Sequence, residues 1–181
     1  MPSRTNVAMN SPSEPTWPDD LFDVLSAAKI QQVGYVPDAG HARLIARCHD
    51  AMRAVVLTTE EEGIALAAGA WLGGQRSALL LQSSGVGNCI NMLSLMQSCR
   101  FPLVMLVTMR GEWAEFNPWQ VPMGSIVEPS LRLAGMHVYR ADRTEDVADT
   151  ANAAIDLAFN GDHAVAVLLS QKLIGRKQWV K

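Results

Sequence analysis

Thr58-Thr59-Glu60-Glu61-Glu62-Gly63-Ile64-Ala65-Leu66-Ala67-Ala68-Gly69-Ala70-Trp71 is the stretch that orders the rest of this 181-residue chain. Thr59, with Glu62 three residues later, reads as a capping box and predicts a helix beginning at Glu60. From Ile64 to Leu72 that helix has no polar face, so it is expected to be buried on most sides. Glu60 then stands at the mouth of a dry interior, where a carboxylate can hold a raised pKa and trade a proton near neutrality. The alternative is that all three glutamates merely complement the positive end of the helix dipole, at roughly a few tenths of a kcal/mol each.

On either side of this helix, apolar runs alternate with amphipathic segments. Residues 33–36, 54–58, 77–82, 102–109, 137–140 and 163–169 read as strands. Residues 19–30, 41–52, 125–134 and 144–159 read as helices, with another running from the 83–88 turn to about 98, and Gly73-Gly74 stops the glutamate helix. Strands such as Ser77-Ala78-Leu79-Leu80-Leu81-Gln82 are apolar on both faces, the mark of a parallel sheet covered on both sides. The expected fold is α/β: a single doubly wound domain with a six-stranded parallel sheet flanked by helices. Ligands in that architecture bind beyond the carboxyl ends of the strands. Segments 37–41, 59–62, 82–88 and 110–123 all fall on that edge, and 110–123 reads as a working loop. Residues 1–18, rich in Ser, Pro, Asn and Thr, are expected to form a flexible arm, with 19–175 as the domain and 176–181 as a tail.

Composition bounds the partners. Hydrophobic residues make up 49% and charged residues 18%, so much apolar surface is expected to lie against another subunit. A formal net charge of -3 gives no reason to expect nucleic acid or an anionic membrane. No apolar run approaches the roughly 20 residues of a bilayer span, and no secretory signal is visible. Cys48, Cys89 and Cys99 lack metal-ligand spacing and read as buried, reduced thiols of a cytoplasmic protein.

Ser83-Ser84-Gly85-Val86-Gly87-Asn88 is a strand-to-helix turn with two glycines. It lacks the Lys-Ser/Thr pair of a P-loop and the third glycine of a dinucleotide fingerprint, which weakens a nucleotide-binding reading. Free N–H groups at the next helix start suit an anion or a carbonyl oxygen; a plain connector is the alternative. Two cationic side chains share the edge. His41 is expected to bind an acid group or move a proton, against an exposed helix-start histidine. Arg110 is expected to grip a substrate acid bidentately, against a solvated loop arginine.

Glu60, Gly63 and Gly69, followed by Leu79-Leu80-Leu81-Gln82-Ser83-Ser84-Gly85-Val86-Gly87-Asn88, resemble the pyrimidine-binding domain of thiamine diphosphate enzymes. The likeness runs from about residue 21 to 173 and is nearest to the sulfopyruvate and phosphonopyruvate decarboxylase branch. Arg110-Gly111-Glu112 and Gln120-Val121-Pro122-Met123-Gly124 are similar to its sulfopyruvate members in particular. The resemblance implies that Glu60 hydrogen-bonds a ring nitrogen of the cofactor's aminopyrimidine and favours its imino tautomer. Gln82, Ser83, Ser84, Gly85, Gly87 and Asn88 would line the cofactor site, and Gln120 would join His41 and Arg110 at the substrate. The implied reaction is loss of carbon dioxide from a small 2-oxo acid: sulfopyruvate first, phosphonopyruvate or another short acid second. The family's Gly-Asp-Gly, which holds magnesium and the cofactor diphosphate, does not occur in this sequence. A β subunit carrying that domain is therefore the expected partner and the holder of Mg2+. The assembly would be a hetero-oligomer with at least two copies of each chain, and no metal is expected on this chain itself. A non-catalytic structural or regulatory paralogue is the reading from another class.

Overall fold

A computed structural model describes residues 16–176. Six strands form one sheet: β1 (Ile30–Tyr35), β2 (Arg53–Val56), β3 (Arg76–Gln82), β4 (Leu103–Thr108), β5 (His137–Ala141) and β6 (Ala164–Leu169). Their order is β2-β1-β3-β4-β6-β5 and every pairing is parallel. The helices are α1 (Trp17–Ala27), α2 (Ala42–Ala51), α3 (Glu61–Leu72), α4 (Ser83–Cys89), α5 (Ser94–Cys99), α6 (Val121–Leu133), α7 (Val147–Gly161) and the short α8 (Gln171–Ile174).

Successive side chains of a strand point to opposite faces, so continuous apolar runs feed two separate cores. Leu80, Val104, Leu106, Val165 and Val167 pack under α1, α2 and α7. Leu79, Leu81, Met105, Val107, Ala166 and Leu168 pack under α3, α4, α5 and α6. The doubly wound, six-stranded parallel sheet expected from the sequence is the observed one. Each fully buried Leu or Val contributes about 1.5–3 kcal/mol by leaving water. No helix among the described residues is long and apolar enough to cross a membrane.

Several local expectations give way. Residues 1–15 lie outside the described residues, but Trp17 and Pro18 belong to α1 rather than to an arm. Trp17 is buried, and its indole N–H donates to the Leu173 carbonyl at 3.2 Å. Pro18 is admitted because the first helical turn needs no N–H there. The glutamate helix starts at Glu61, with Glu60 in the cap position, and Thr59 makes no side-chain cap. Glu62 instead reaches back to accept the Thr58 N–H at 2.9 Å. Nor is α3 buried on most sides: Gly63, Ile64, Ala67 and Ala70 face the core, while Ala65, Gly69 and Leu72 are exposed. The 83–88 turn is not a loop but the body of α4, and the helix expected to reach 98 breaks into α4 and α5. The irregular part of 110–123 closes at Pro118–Gln120, a 3-10 turn that runs into α6.

Candidate active site

The chain leaves β1 for β2 on one side and later returns to β3 on the other, so the sheet's winding reverses at β1. Loops diverge at the carboxyl ends of such neighbours and leave a crevice. Leu57 N–H donates to the Tyr35 carbonyl at 2.8 Å, which carries the β2 chain on beyond Val56 beside β1. Glu62 then closes the turn on Thr58, and Glu60 takes helical dihedrals, φ −64° and ψ −30°. Its side chain meets α4. Asn88 Nδ2 donates to Glu60 Oε2 at 2.7 Å. The rest of the carboxylate lies over Gly85, where a Cβ would stand 2.5 Å from Glu60 Cγ and Oε1. Only a residue without a side chain permits that approach. Beneath, burial pushes the Cys89 thiol up to about 12, and the charges of Glu60 and Glu61 add to the effect, so this thiol stays protonated.

The head of α4 also ties in the loop after β4. Arg110 N–H donates to Ser83 Oγ at 3.1 Å. Gln120 is buried, and its Nε2 donates to Gln82 Oε1 at 3.4 Å, a long contact. The Gln120 Oε1 is buried and has no hydrogen-bond partner among the described residues. Gly87 is exposed and faces the Met123 thioether, while Ser84 is half-buried. Glu60, Gly85 and Asn88 on one side, and Gln82, Ser83, Arg110 and Gln120 on the other, are thus joined through α4.

Two expected residues sit differently from their reading. His41 is fully buried, not exposed, and its Nε2 lies 3.0 Å from the Leu106 carbonyl, with the Trp17 ring edge-on at 6.5 Å. A carbonyl only accepts, so Nε2 carries the proton and Nδ1 holds a lone pair without a partner among the described residues. Burial drives the His41 pKa down; the Asp38 charge and the carbonyls of Leu106 and Leu81 oppose it without reversing it. His41 is therefore a neutral ring inside the domain, apart from the Glu60 cluster. Arg110 is not a solvated arginine, and its fork is closed on Glu115 through Nη2 at 2.6 Å and Nε at 2.9 Å, with the Phe116 ring 5.2 Å away. Burial acts to raise the Glu115 pKa. Arg110, the N–H groups of Asn117 and Gly111, and the Gln171 amide outweigh it and hold the carboxyl at about 2.

Asp38, Glu115 and Gln171 are site-forming residues that sequence reasoning missed. Thr108 Oγ1 donates to Asp38 Oδ2 at 2.6 Å, and Asp38, Arg110, Phe116 and Gln171 line one narrow crevice. The available signal for Glu115 was an arginine five residues before it in the same loop. Cys99 departs from the thiol expectation by being exposed.

Thiamine diphosphate fits this edge: the glycine gap at 85 keeps a carboxylate close to α4, and the buried Gln120 carbonyl lacks a donor. Comparisons agree. Residues 16–116 match the family described as thiamine pyrophosphate enzyme, N-terminal TPP binding domain. The chain is 34% identical over 116 residues to the sulfopyruvate decarboxylase subunit alpha of Methanococcus maripaludis, spanning 64% of this chain and 70% of that one. It is 37% identical over 139 residues to the phosphonopyruvate decarboxylase of Streptomyces viridochromogenes, spanning 75% of this chain but only 35% of that one. The benzoylformate decarboxylase structure from Polynucleobacter necessarius superposes with a TM-score of 0.70 at 17% identity, over 91% of this chain and 31% of that one, a likeness of fold. The match across residues 16–116, with Glu60 and α4 inside it, places this chain in the family of thiamine pyrophosphate enzymes, to which it belongs through the N-terminal TPP binding domain.

Proposed function

We propose that this chain is the α-type subunit of a thiamine diphosphate-dependent decarboxylase that converts sulfopyruvate to sulfoacetaldehyde and carbon dioxide. The observation that carries the proposal is the Glu60 carboxylate, seated over Gly85 and held through one oxygen by Asn88. The name of the Methanococcus relative, a subunit alpha, supports a divided enzyme. A β subunit would bring Gly-Asp-Gly, hold Mg2+ and the diphosphate, and form a hetero-oligomer with at least two copies of each chain. Residues 19–175, extended by Trp17 and Pro18 of α1, would act as the pyrimidine-binding domain.

Bound thiamine diphosphate supplies the electron sink that lets carbon dioxide leave a 2-oxo acid. Glu60 offers its carboxyl to a ring nitrogen of the aminopyrimidine and holds or yields a proton there. Asn88 fixes the orientation of that carboxyl, and Gly85 keeps the approach open. Gln82, Ser83, Ser84 and Gly87 line the same wall. Gln120, buried beside Gln82, would meet the substrate with its amide. Arg110 reaches a substrate acid only by exchanging Glu115 for it. Phosphonopyruvate is the second reading, favoured by the Streptomyces relative.

Co-expression with a chain bearing Gly-Asp-Gly, followed by decarboxylation assays on both acids, tests this. Glu60→Gln is expected to assemble normally and to lose roughly a thousandfold in kcat, within the range for a lost proton-transfer group. Wild-type rates in that variant, or an assembled pair inert toward both acids, would overturn the proposal.

A further inference from the structure

The segment between β4 and the 3-10 turn at Pro118–Gln120 has no regular structure, yet it is tied down around one carboxylate. The Glu115 side chain is only 4% exposed. It accepts from Arg110 Nη2 and Nε, from the N–H groups of Gly111 and Asn117 at 2.9 Å each, and from Gln171 Nε2 at 2.9 Å. The last of these comes from α8, 56 residues away in sequence. Gln171 uses both ends of its amide. Its Oε1 accepts the N–H groups of Glu112 and Trp113 at 3.1 Å. Glu112 Oε1 in turn accepts the Gln171 N–H at 2.9 Å and Arg140 Nη2 at 2.7 Å. The loop is thereby fastened to the carboxyl ends of β5 and β6.

The fastening has an output at the cleft. Arg110 donates its N–H to Ser83, the first residue of the helix whose Gly85 and Asn88 meet Glu60. On its other side, the Arg110 carbonyl packs against Gly124, where any Cβ would collide with it. Gly111, at φ +76°, lies against the Gln120 carbonyl and would collide in the same way with a side chain. The Arg110–Gly111 backbone is therefore wedged between the head of α4 and the start of α6. A shift of that wedge moves Ser83 and Gln120 together.

We propose that Glu115 is a positioning residue: locked by Gln171, it sets the Arg110–Gly111 wedge and so holds the α4 head and Gln120 in register for the 2-oxo acid. Arg110 then serves as a strut, with its guanidinium spent on Glu115. The inference rests on the decarboxylase function proposed above. Its substance is that a carboxylate on the far side of the loop governs substrate affinity rather than cofactor activation.

Glu115→Gln and Gln171→Leu, each assembled with the β subunit, test it alongside amide hydrogen exchange on the chain alone. Glu115→Gln is expected to raise KM about tenfold while kcat stays within about threefold, because the displaced Gln120 faces the substrate, whereas Glu60 is carried by the turn before α3 and bonded to Asn88 at the far end of α4. Gln171→Leu is expected to shift KM the same way by less. In the isolated chain, Glu115→Gln is expected to speed exchange at Arg110 as well as at Gly111 and Asn117 by about tenfold, with Met105 and Leu106 of β4 unchanged. An unchanged or lowered KM, a kcat that falls with KM unaltered, or no faster exchange at Arg110 would each refute the role. If the wild-type assembly decarboxylates neither acid, the function reading fails, and the exchange at Arg110 alone decides the positioning claim.

Discussion

Gly85→Ala separates the geometry of the site from the stability of the fold. A Cβ at position 85 would stand 2.5 Å from Glu60 Cγ and Oε1 and 2.6 Å from Cδ. The obstructing atoms are the far end of a half-buried, flexible side chain, so the clash is relieved by swinging Glu60 outward and not by moving backbone. Folding gains about 1 kcal/mol when alanine replaces glycine inside α4. It loses about 1 kcal/mol with the Asn88–Glu60 hydrogen bond, which leaves the net near zero. Turnover has no such compensation. Displacing a reacting group by about 1 Å costs roughly a hundredfold in rate, or about 2.7 kcal/mol of transition-state stabilisation. Urea unfolding of the chain, size-exclusion of the assembled enzyme and steady-state decarboxylation would be measured together. The expected outcome is an unfolding free energy within about 1 kcal/mol of wild type, intact assembly and a hundredfold lower kcat. A kcat within threefold of wild type would refute the packing of Glu60 on Gly85. A loss of stability beyond about 3 kcal/mol would show that the backbone, not the carboxylate, fills that space.

Three further outcomes follow from ionisation. The Glu115 carboxyl sits at about 2 in the fold against an ordinary 4.5, so the native state favours its charged form. That preference contributes about 3 kcal/mol above pH 4.5 and is lost as pH falls towards 2. Urea titrations at pH 7, 4 and 3 should show wild type and Glu115→Gln converging as the solution becomes more acid. His41 behaves in the opposite chemical sense: its unfolded ring takes a proton below the ordinary 6.5, while burial makes the folded ring refuse it. Stability present above pH 6.5 therefore declines below it, and His41→Gln, which keeps a donor for the Leu106 carbonyl, should flatten that limb. Thiol labelling of the native chain should modify Cys99 quickly, whereas Cys48 and Cys89, buried with pKa values pushed up to about 11 and about 12, should react only after unfolding.

The sheet was legible because a strand buried on both faces has nowhere to put a polar side chain, so Leu79-Leu80-Leu81 and Val104 to Val107 announce themselves. The nearness of Glu60 to the 83–88 segment was legible only through the family resemblance that these residues carry, and the structure joins them through Asn88 and Gly85. Helix α4 was not legible. Ser83, Ser84, Gly85 and Gly87 disfavour a helix by propensity, and packing of Val86 and Cys89 onto the core overrides that preference. The burial of His41 was hidden because its partner is a backbone carbonyl 65 residues away, which leaves no trace in side-chain pattern. The Glu115–Gln171 contact was hidden for the same reason, since it joins a loop to a turn beyond the last strand.

Four residues after that last strand carry more than their length suggests. A gene shortened to stop after β6 would still encode all six strands and Glu60. It would omit the Leu173 carbonyl that receives the Trp17 indole and the Gln171 amide that grips Glu115. The first helix and the loop after β4 would each lose a mooring in one stroke, so the smallest piece worth expressing runs from Trp17 through Ile174.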